Sequence, residues 1–316
     1  MRSTDSPAGP SAPAADGPAD TRQPLLLPYA LLTLTVLFWA GNFVVGRAVR
    51  YDVAPVSLAF WRWVVALALL LPVAGPDLWR CRMVVVRHWR LLAMLGLTGI
   101  TGFHLCVYIA LQSTQAVNAA LFLATTPLAI VVVAWAMFGD RVTARAGIGI
   151  VASMAGAAVV VTRGDPAVLL ELRFNPGDLW MLGAVPLWAL YSVLLKHRPA
   201  TLPPLALLTA TIACGLAALT PLYLWRAGQG EAMVWTADSA AAVGYVAVCA
   251  SVIAYICWNH GVREVGPTRA GVFINLIPVF AALLAVVFLG ERIAGYHVAG
   301  AALVFGGLLL VSRGRR

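Results

Sequence analysis

Apolar residues run along this chain in long blocks of about twenty, separated by short polar stretches and without a sustained alternation of period two. A hydrocarbon core about 30 Å thick takes roughly 20 residues of α-helix per crossing, so each block is long enough to span it. A membrane barrel would need alternating inward and outward residues instead. The blocks predict helices at roughly 28 to 48, 54 to 74, 90 to 111, 116 to 138 and 144 to 162. A second set follows at roughly 178 to 195, 204 to 225, 240 to 262, 267 to 289 and 294 to 312. The expectation is an all-α integral membrane protein with ten transmembrane helices.

The pattern also repeats. Shifting the chain by 149 residues lays Trp39 on Trp188, Pro55 on Pro204 and Pro72 on Pro221. From the third span onward an offset of 151 pairs Cys106 with Cys257, Pro127 with Pro278 and Gly139-Asp140-Arg141 with Gly290-Glu291-Arg292, as well as Gly149 with Gly300 and Gly156 with Gly307. Five spans is an odd number, so the second copy enters the membrane upside down relative to the first. The chain therefore reads as two inverted five-helix repeats, 25–163 and 176–312, preceded by a Pro-, Ala-, Ser- and Gly-rich tail over 1–24 that is too polar to fold and has no signal-peptide pattern. Inverted repeats commonly hold substrate near the midplane, between the halves, and alternate access by rocking.

Composition agrees with a lipid solvent: 61% of residues are hydrophobic, 11% are charged, and the mean hydropathy is +0.86. The net charge of +9 is distributed unevenly. With the N-terminus inside, fifteen positive residues fall on the cytoplasmic side: Arg2, Arg22, Arg80, Arg82, Arg87, Arg90, Arg141, Arg145, Lys196, Arg198, Arg263, Arg269, Arg313, Arg315 and Arg316. Six fall outside: Arg47, Arg50, Arg163, Arg173, Arg226 and Arg292. Both termini are expected in the cytoplasm of a bacterial inner membrane. The charge then faces anionic headgroups and gives no reason to expect nucleic acid as a partner. The five cysteines, Cys81, Cys106, Cys214, Cys249 and Cys257, have no metal-ligand spacing, and the chain has no G-x-x-x-x-G-K-[ST] loop, so neither a metal nor another cofactor is expected.

Polar residues within the spans are the candidate chemistry. Arg62 lies about 8 residues, roughly 12 Å, into the second span from its outer end. A buried cation of this kind either faces a wet pathway or ties helices together through carbonyl groups. Asn42 and His104 fall near the same depth, with Tyr108 one turn beyond His104 on the same face. His104 is either part of a polar cluster or a neutral imidazole satisfied by a neighbouring carbonyl. Tyr191, Tyr255, Trp258, Asn259 and Asn275 fall on the inner side of the midplane in the second half, with Tyr191 opposite Asn42 and Tyr255 opposite His104 in the repeat. Trp39 and Trp188 are too deep for the interfacial belt to which Trp61, Trp63, Trp180 and Trp225 are assigned. Pro127 and Pro278 break matching spans and mark either a hinge at the substrate site or a kink tolerated for packing. Asp140 and Glu291 read as caps of the fifth and tenth helices. Small residues at Gly147, Gly149, Ala152 and Gly156, echoed at Gly300, Ala301 and Gly307, allow those helices close packing, against neighbours or against a second copy in a homodimer.

Together Phe38-Trp39-Ala40-Gly41-Asn42-Phe43, Phe60-Trp61-Arg62, Pro127, Gly139-Asp140-Arg141, Gly177-Asp178-Leu179, Leu187-Trp188-Ala189-Leu190-Tyr191-Ser192, Pro278 and Gly290-Glu291-Arg292 resemble the drug/metabolite transporter superfamily. Within it they resemble the ten-helix proteins built from two EamA domains, over roughly residues 28 to 312, with Asp140 where that family more often has Glu. The resemblance implies export of amino acids, other metabolites or toxic compounds, with eight helices around a cavity and the fifth and tenth peripheral. A secondary transporter of a small molecule is the expectation. The competing readings are a channel or sensor without carrier turnover, and an intramembrane enzyme, although neither an aspartate dyad nor an H-E-x-x-H helix is present. All thirteen acids lie in the tail, in loops or at helix ends, which leaves facilitated diffusion or proton exchange linked to His104.

Overall fold

Helix boundaries follow local chemistry. Proline, whose missing N–H is no loss at a first helical turn, opens helices at Pro55, Pro176, Pro204 and Pro267. Asn175 with Asp178, and Thr236 with Ser239, form capping boxes that satisfy orphan N–H groups. Gly139 stops a helix in the left-handed region at φ 68°. The computed structural model describes residues 26–114, 116–171, 175–289 and 292–312. The tail, Arg173, Gly290, Glu291, Arg313, Arg315 and Arg316 lie outside the described residues.

Ten helices are long and apolar enough to cross a membrane: α1 (Leu26–Gly46), α2 (Pro55–Arg80), α3 (Trp89–Ser113), α4 (Asn118–Phe138), α5 (Ala144–Val161), α6 (Pro176–His197), α7 (Pro204–Glu231), α8 (Ala237–Val265), α9 (Pro267–Leu284) and α10 (Gly295–Ser312). No strand occurs among the described residues. Several spans run past their expected ends, most of all α2, which continues through Pro76 to Arg80, α7, which continues through Gly228 to Glu231, and α8, which begins earlier, after its Thr236 cap, and ends at Val265. Below, the upper face carries residues 49–54 and 227–236, and the lower face carries residues 139–143 and 197–203.

Packing obeys the inverted repeat. α1 lies along α8 as α6 lies along α3, α1 meets α9 as α6 meets α4, and α2 pairs with its own mate α7. Irregularities repeat too. A wide π-helical segment at Gly96–Gly102 in α3 has its counterpart at Val248–Ile253 in α8. α4 is interrupted at Thr125, just before Pro127, and α9 passes through a tight turn at Phe273–Leu276 just before Pro278.

α5 and α10 pack on each other. A methyl group on Gly156 would sit 2.6 Å from the Gly300 carbonyl, and one on Gly149 would sit 2.7 Å from the Gly307 carbonyl, so these backbones are in direct contact. The two small-residue stripes thus close on each other within one chain. The expected cap by Asp140 is replaced: Thr143 caps α5 through the Ala146 N–H, and Asp140 reaches across to Lys196 at 2.7 Å.

Candidate functional site

The pseudo-two-fold axis passes between two tryptophans. Trp39 of α1 and Trp188 of α6, equivalent in the repeat, touch edge to face with ring centroids 4.9 Å apart. Trp258 lies 5.2 Å from Trp39 and 5.5 Å from Trp188, while Tyr191 and Phe103 flank Trp188 at 5.1 and 4.8 Å. Tyr255 completes the cluster against Trp188 and Trp63. Trp63 is fully buried here and not in an interfacial belt, because the face of α2 that carries it also packs on His104.

Above this layer Arg62, fully buried on α2, donates from Nε to Ser251 Oγ at 2.9 Å and from Nη1 to the Tyr108 hydroxyl at 2.6 Å and Asn42 Oδ1 at 3.4 Å. Its Nη2 reaches the Ala250 carbonyl at 3.3 Å. Among the described residues no acid lies within ion-pair distance of this guanidinium. The Tyr108 hydroxyl in turn donates to Asn42 Oδ1 at 3.0 Å. Arg62 therefore ties α1, α2, α3 and α8 together, one side chain behind the pocket wall. Below the layer, the Tyr191 hydroxyl donates to Asn259 Oδ1 at 2.8 Å. In the repeat Asn42 corresponds to Tyr191 and Tyr108 to Asn259, so one Asn–Tyr bond occurs at each end with its partners exchanged.

The π segments supply acceptors, since a wide turn shifts the helical hydrogen-bond register and leaves carbonyls available to side chains. Ala250 O accepts from Trp39 Nε1 at 3.1 Å, and its counterpart Gly99 O accepts from the Tyr255 hydroxyl at 2.5 Å. His104, also buried, places Nδ1 3.2 Å from the Ile100 carbonyl, which assigns the proton to Nδ1 and leaves Nε2 as an acceptor.

A small central pocket of about 20 Å³ is lined by Trp39, Asn42, Phe43, Phe103, His104, Val107, Leu123, Thr126, Trp188, Ile274 and Ile277. Through Phe43, Leu123, Ile274 and Ile277 it adjoins an apolar cavity of about 340 Å³ that reaches Arg163, Tyr296 and His297 at the upper face. On the lower side, Asn259 lines a cavity of about 80 Å³ together with Arg198, His260 and Arg263. Two buried polar atoms of the central pocket, Trp188 Nε1 and Thr126 Oγ1, lack a hydrogen-bond partner among the described residues. A polar and aromatic chamber thus lies between the two halves, adjoined by a larger apolar cavity toward the upper face, with a separate small cavity on the lower side.

The sequence model of the EamA-like transporter family matches residues 26–162 and again residues 175–313. The chain belongs to the EamA-like transporter family. It is 28% identical over 288 residues to YyaM, an uncharacterized transporter of Bacillus subtilis, covering 90% of this chain and 93% of that one. It is equally 28% identical over 290 residues to a probable terminal-alkyne amino-acid exporter of Streptantibioticus cattleyicolor, covering 90% and 94%. A solved crystal structure 19% identical to it superposes with a TM-score of 0.68 over 90% of this chain and 96% of that one, a likeness of fold. The protein is thus a multi-pass membrane transporter and not a member of an enzyme family.

Within this EamA fold the sequence candidates separate. Trp39, Asn42, His104 and Trp188 line the pocket, with Tyr108, Tyr191, Tyr255, Trp258 and Arg62 packed around it. Asn259 stands at the lower cavity and Pro278 lines the upper one, while Pro127 breaks α4 beside the pocket residue Thr126. Asn275 points elsewhere: its Nδ2 donates to Ser153 Oγ on α5 at 2.8 Å. It sits in the tight turn before Pro278, where counting at 100° per residue misassigns the face. Sequence reasoning missed Thr126 and Phe103, neighbours of Pro127 and His104, and it missed Ser251. It also missed the burial of Asp178, which is inaccessible at the head of α6 and accepts from Asn118 Nδ2 at 2.8 Å and the Asn175 N–H at 3.0 Å.

Proposed function

We propose that this transporter exports α-amino acids or close relatives by alternating access, holding one molecule at the axis between the halves. The observation that carries the reading is the central pocket together with the apolar cavity it adjoins, since about 20 Å³ alone has room for little more than one water-sized group. A zwitterion needs donors for its carboxylate, an acceptor for its ammonium group and apolar room for its side chain. Trp188 Nε1 and the Thr126 hydroxyl are unmatched, His104 Nε2 is an acceptor, and the adjoining cavity is apolar. The exporter from Streptantibioticus cattleyicolor supports the same substrate class. The two Asn–Tyr bonds lie on the upper and lower sides of the aromatic layer, and in this reading they are the contacts that opening to either side breaks.

Reconstituted in liposomes, the protein should take up a labelled amino acid saturably and show counterflow, acceleration by unlabelled substrate on the opposite side. Linear, unsaturated flux without counterflow would mark a channel instead. His104 is held through Nδ1 by a backbone carbonyl, the arrangement of a neutral hydrogen-bonding group, so transport is expected to proceed by facilitated diffusion. An imposed pH gradient should drive no accumulation in wild type. Accumulation that the gradient drives and His104→Gln removes would overturn that expectation.

The charge bias places the upper face outside the cell and both termini in the cytoplasm. On a cysteine-free background in intact cells, an impermeant maleimide should label Gln229→Cys and not Arg141→Cys. The opposite pattern would reverse the orientation.

A further inference from the structure

We propose that Trp188 donates its indole N–H to the carboxylate of the substrate, and that Tyr255, which lines no part of the pocket, is the positioning residue that keeps this N–H free. The assignment rests on the amino-acid reading above. Its basis is a break in the internal symmetry. Trp39 and Trp188 are equivalent, yet Trp39 uses its N–H on the Ala250 carbonyl at 3.1 Å. The equivalent acceptor for Trp188 is the Gly99 carbonyl, and there the Tyr255 hydroxyl sits at 2.5 Å while the indole N–H makes no bond among the described residues. His104, the counterpart of Tyr255, binds the Ile100 carbonyl and so leaves Ala250 to Trp39 and Arg62. One difference between the halves, tyrosine where the other has histidine, thus releases one indole N–H.

Trp188 is 2% exposed and lines the central pocket, and its buried N–H has no partner among the described residues. An unmatched donor in a dry site is a standing penalty that a ligand acceptor removes. An indole N–H can only donate, so it selects an acceptor and rejects an ammonium group. The field points the same way: Arg62, without an acid beside it among the described residues, stands behind Asn42 and favours an anion in the pocket. The indole N–H groups of Trp63 and Trp258 are also unmatched but line none of the cavities described above.

The purified full-length protein is screened by thermal shift with each of the twenty proteinogenic amino acids, and the most stabilising one is titrated alongside its decarboxylated amine. Wild type should prefer the acid. Trp188→Phe should weaken binding of the acid about tenfold, the scale of one hydrogen bond to a charged group, and leave the amine within about twofold. Tyr255→Phe should do the same while the unliganded melting temperature barely moves, because the freed Gly99 carbonyl takes the indole N–H. The double variant should be no weaker than Trp188→Phe alone, since both changes remove one contact. Equal losses for acid and amine in either variant, additive losses in the double variant, or acid binding by Trp188→Phe at wild-type strength would overturn the assignment and leave the amino-acid reading standing. If no amino acid stabilises wild type, that reading falls and the assignment falls with it.

Discussion

Arg62→Ala is expected to abolish transport while the protein still inserts. The guanidinium reaches Ser251, Tyr108, Asn42 and the Ala250 carbonyl from full burial, so its loss removes four bonds and loosens α1, α3 and α8 where they meet α2, while Asn42 and the Ala250 carbonyl keep the Tyr108 and Trp39 donors. The destabilisation should be about 2–4 kcal/mol, moderated because the charge removed has no carboxylate partner among the described residues. Flux per reconstituted molecule should fall on the order of a hundredfold, since the upper Asn–Tyr bond loses its brace and the pocket its positive field. Arg62→Lys should recover less than about a tenth of the activity, because one ammonium group cannot serve acceptors spread around a planar fork. Flux in proteoliposomes and the melting temperature of the purified protein are the two measurements. If Arg62→Ala transports like wild type, the knot is packing alone.

Gly156→Leu should cost a large part of the stability that the contact between the peripheral helices supplies. A Cβ there meets backbone, the Gly300 carbonyl at 2.6 Å and the Val304 nitrogen at 2.7 Å, so no side-chain rotation relieves the clash and α5 must separate from α10. A loss of about 3 kcal/mol or more follows, which lowers the melting temperature by roughly 10 °C. Gly147→Leu, about two and a half turns along the same helix, is the control: nothing lies within 4 Å of a Cβ at Gly147, and the melting temperature should stay within about 2 °C. Fluorescence-detected size exclusion after a heat series compares the two. Equal loss in both variants would mean that the small residues serve helix geometry and not close approach.

Much of this molecule was legible from hydropathy and self-comparison, because bilayer thickness fixes span length and duplication leaves matched prolines and glycines in register. Trp39 and Trp188 stood out by depth and by the shared offset, and they meet on the axis. Details that depend on helical phase were hidden. The π segments in α3 and α8 and the tight turn in α9 change the residues per turn, so Asn275 moved to the α5 side, and the use of Gly99 and Ala250 as acceptors could not be read. Asp178 shows the limit of position as a guide to exposure. It lies at a helix end, as every acid in the spans does, yet its neighbours Asn118 and Asn175 bury it completely. Trp63 was misplaced for the complementary reason: a residue near a span end still enters the core if its face of the helix points inward.

A carrier that runs without an energy source needs its two end states close in free energy, or substrate would stall in the deeper one. In the facilitated cycle proposed above, the exchanged Asn–Tyr bonds would meet that need at the scale of a single contact. Opening either end gives up one phenol-to-amide hydrogen bond of about 1 kcal/mol, the same chemical species at both mouths. Such a pair makes the resting preference small and easily reset by solute concentrations on the two sides. Arg62 supplies the remaining tilt, since it braces Asn42 and Tyr108 alone. Under the proposed export cycle the lower mouth, whose Asn–Tyr bond has no such brace, is the one that opens more readily at rest.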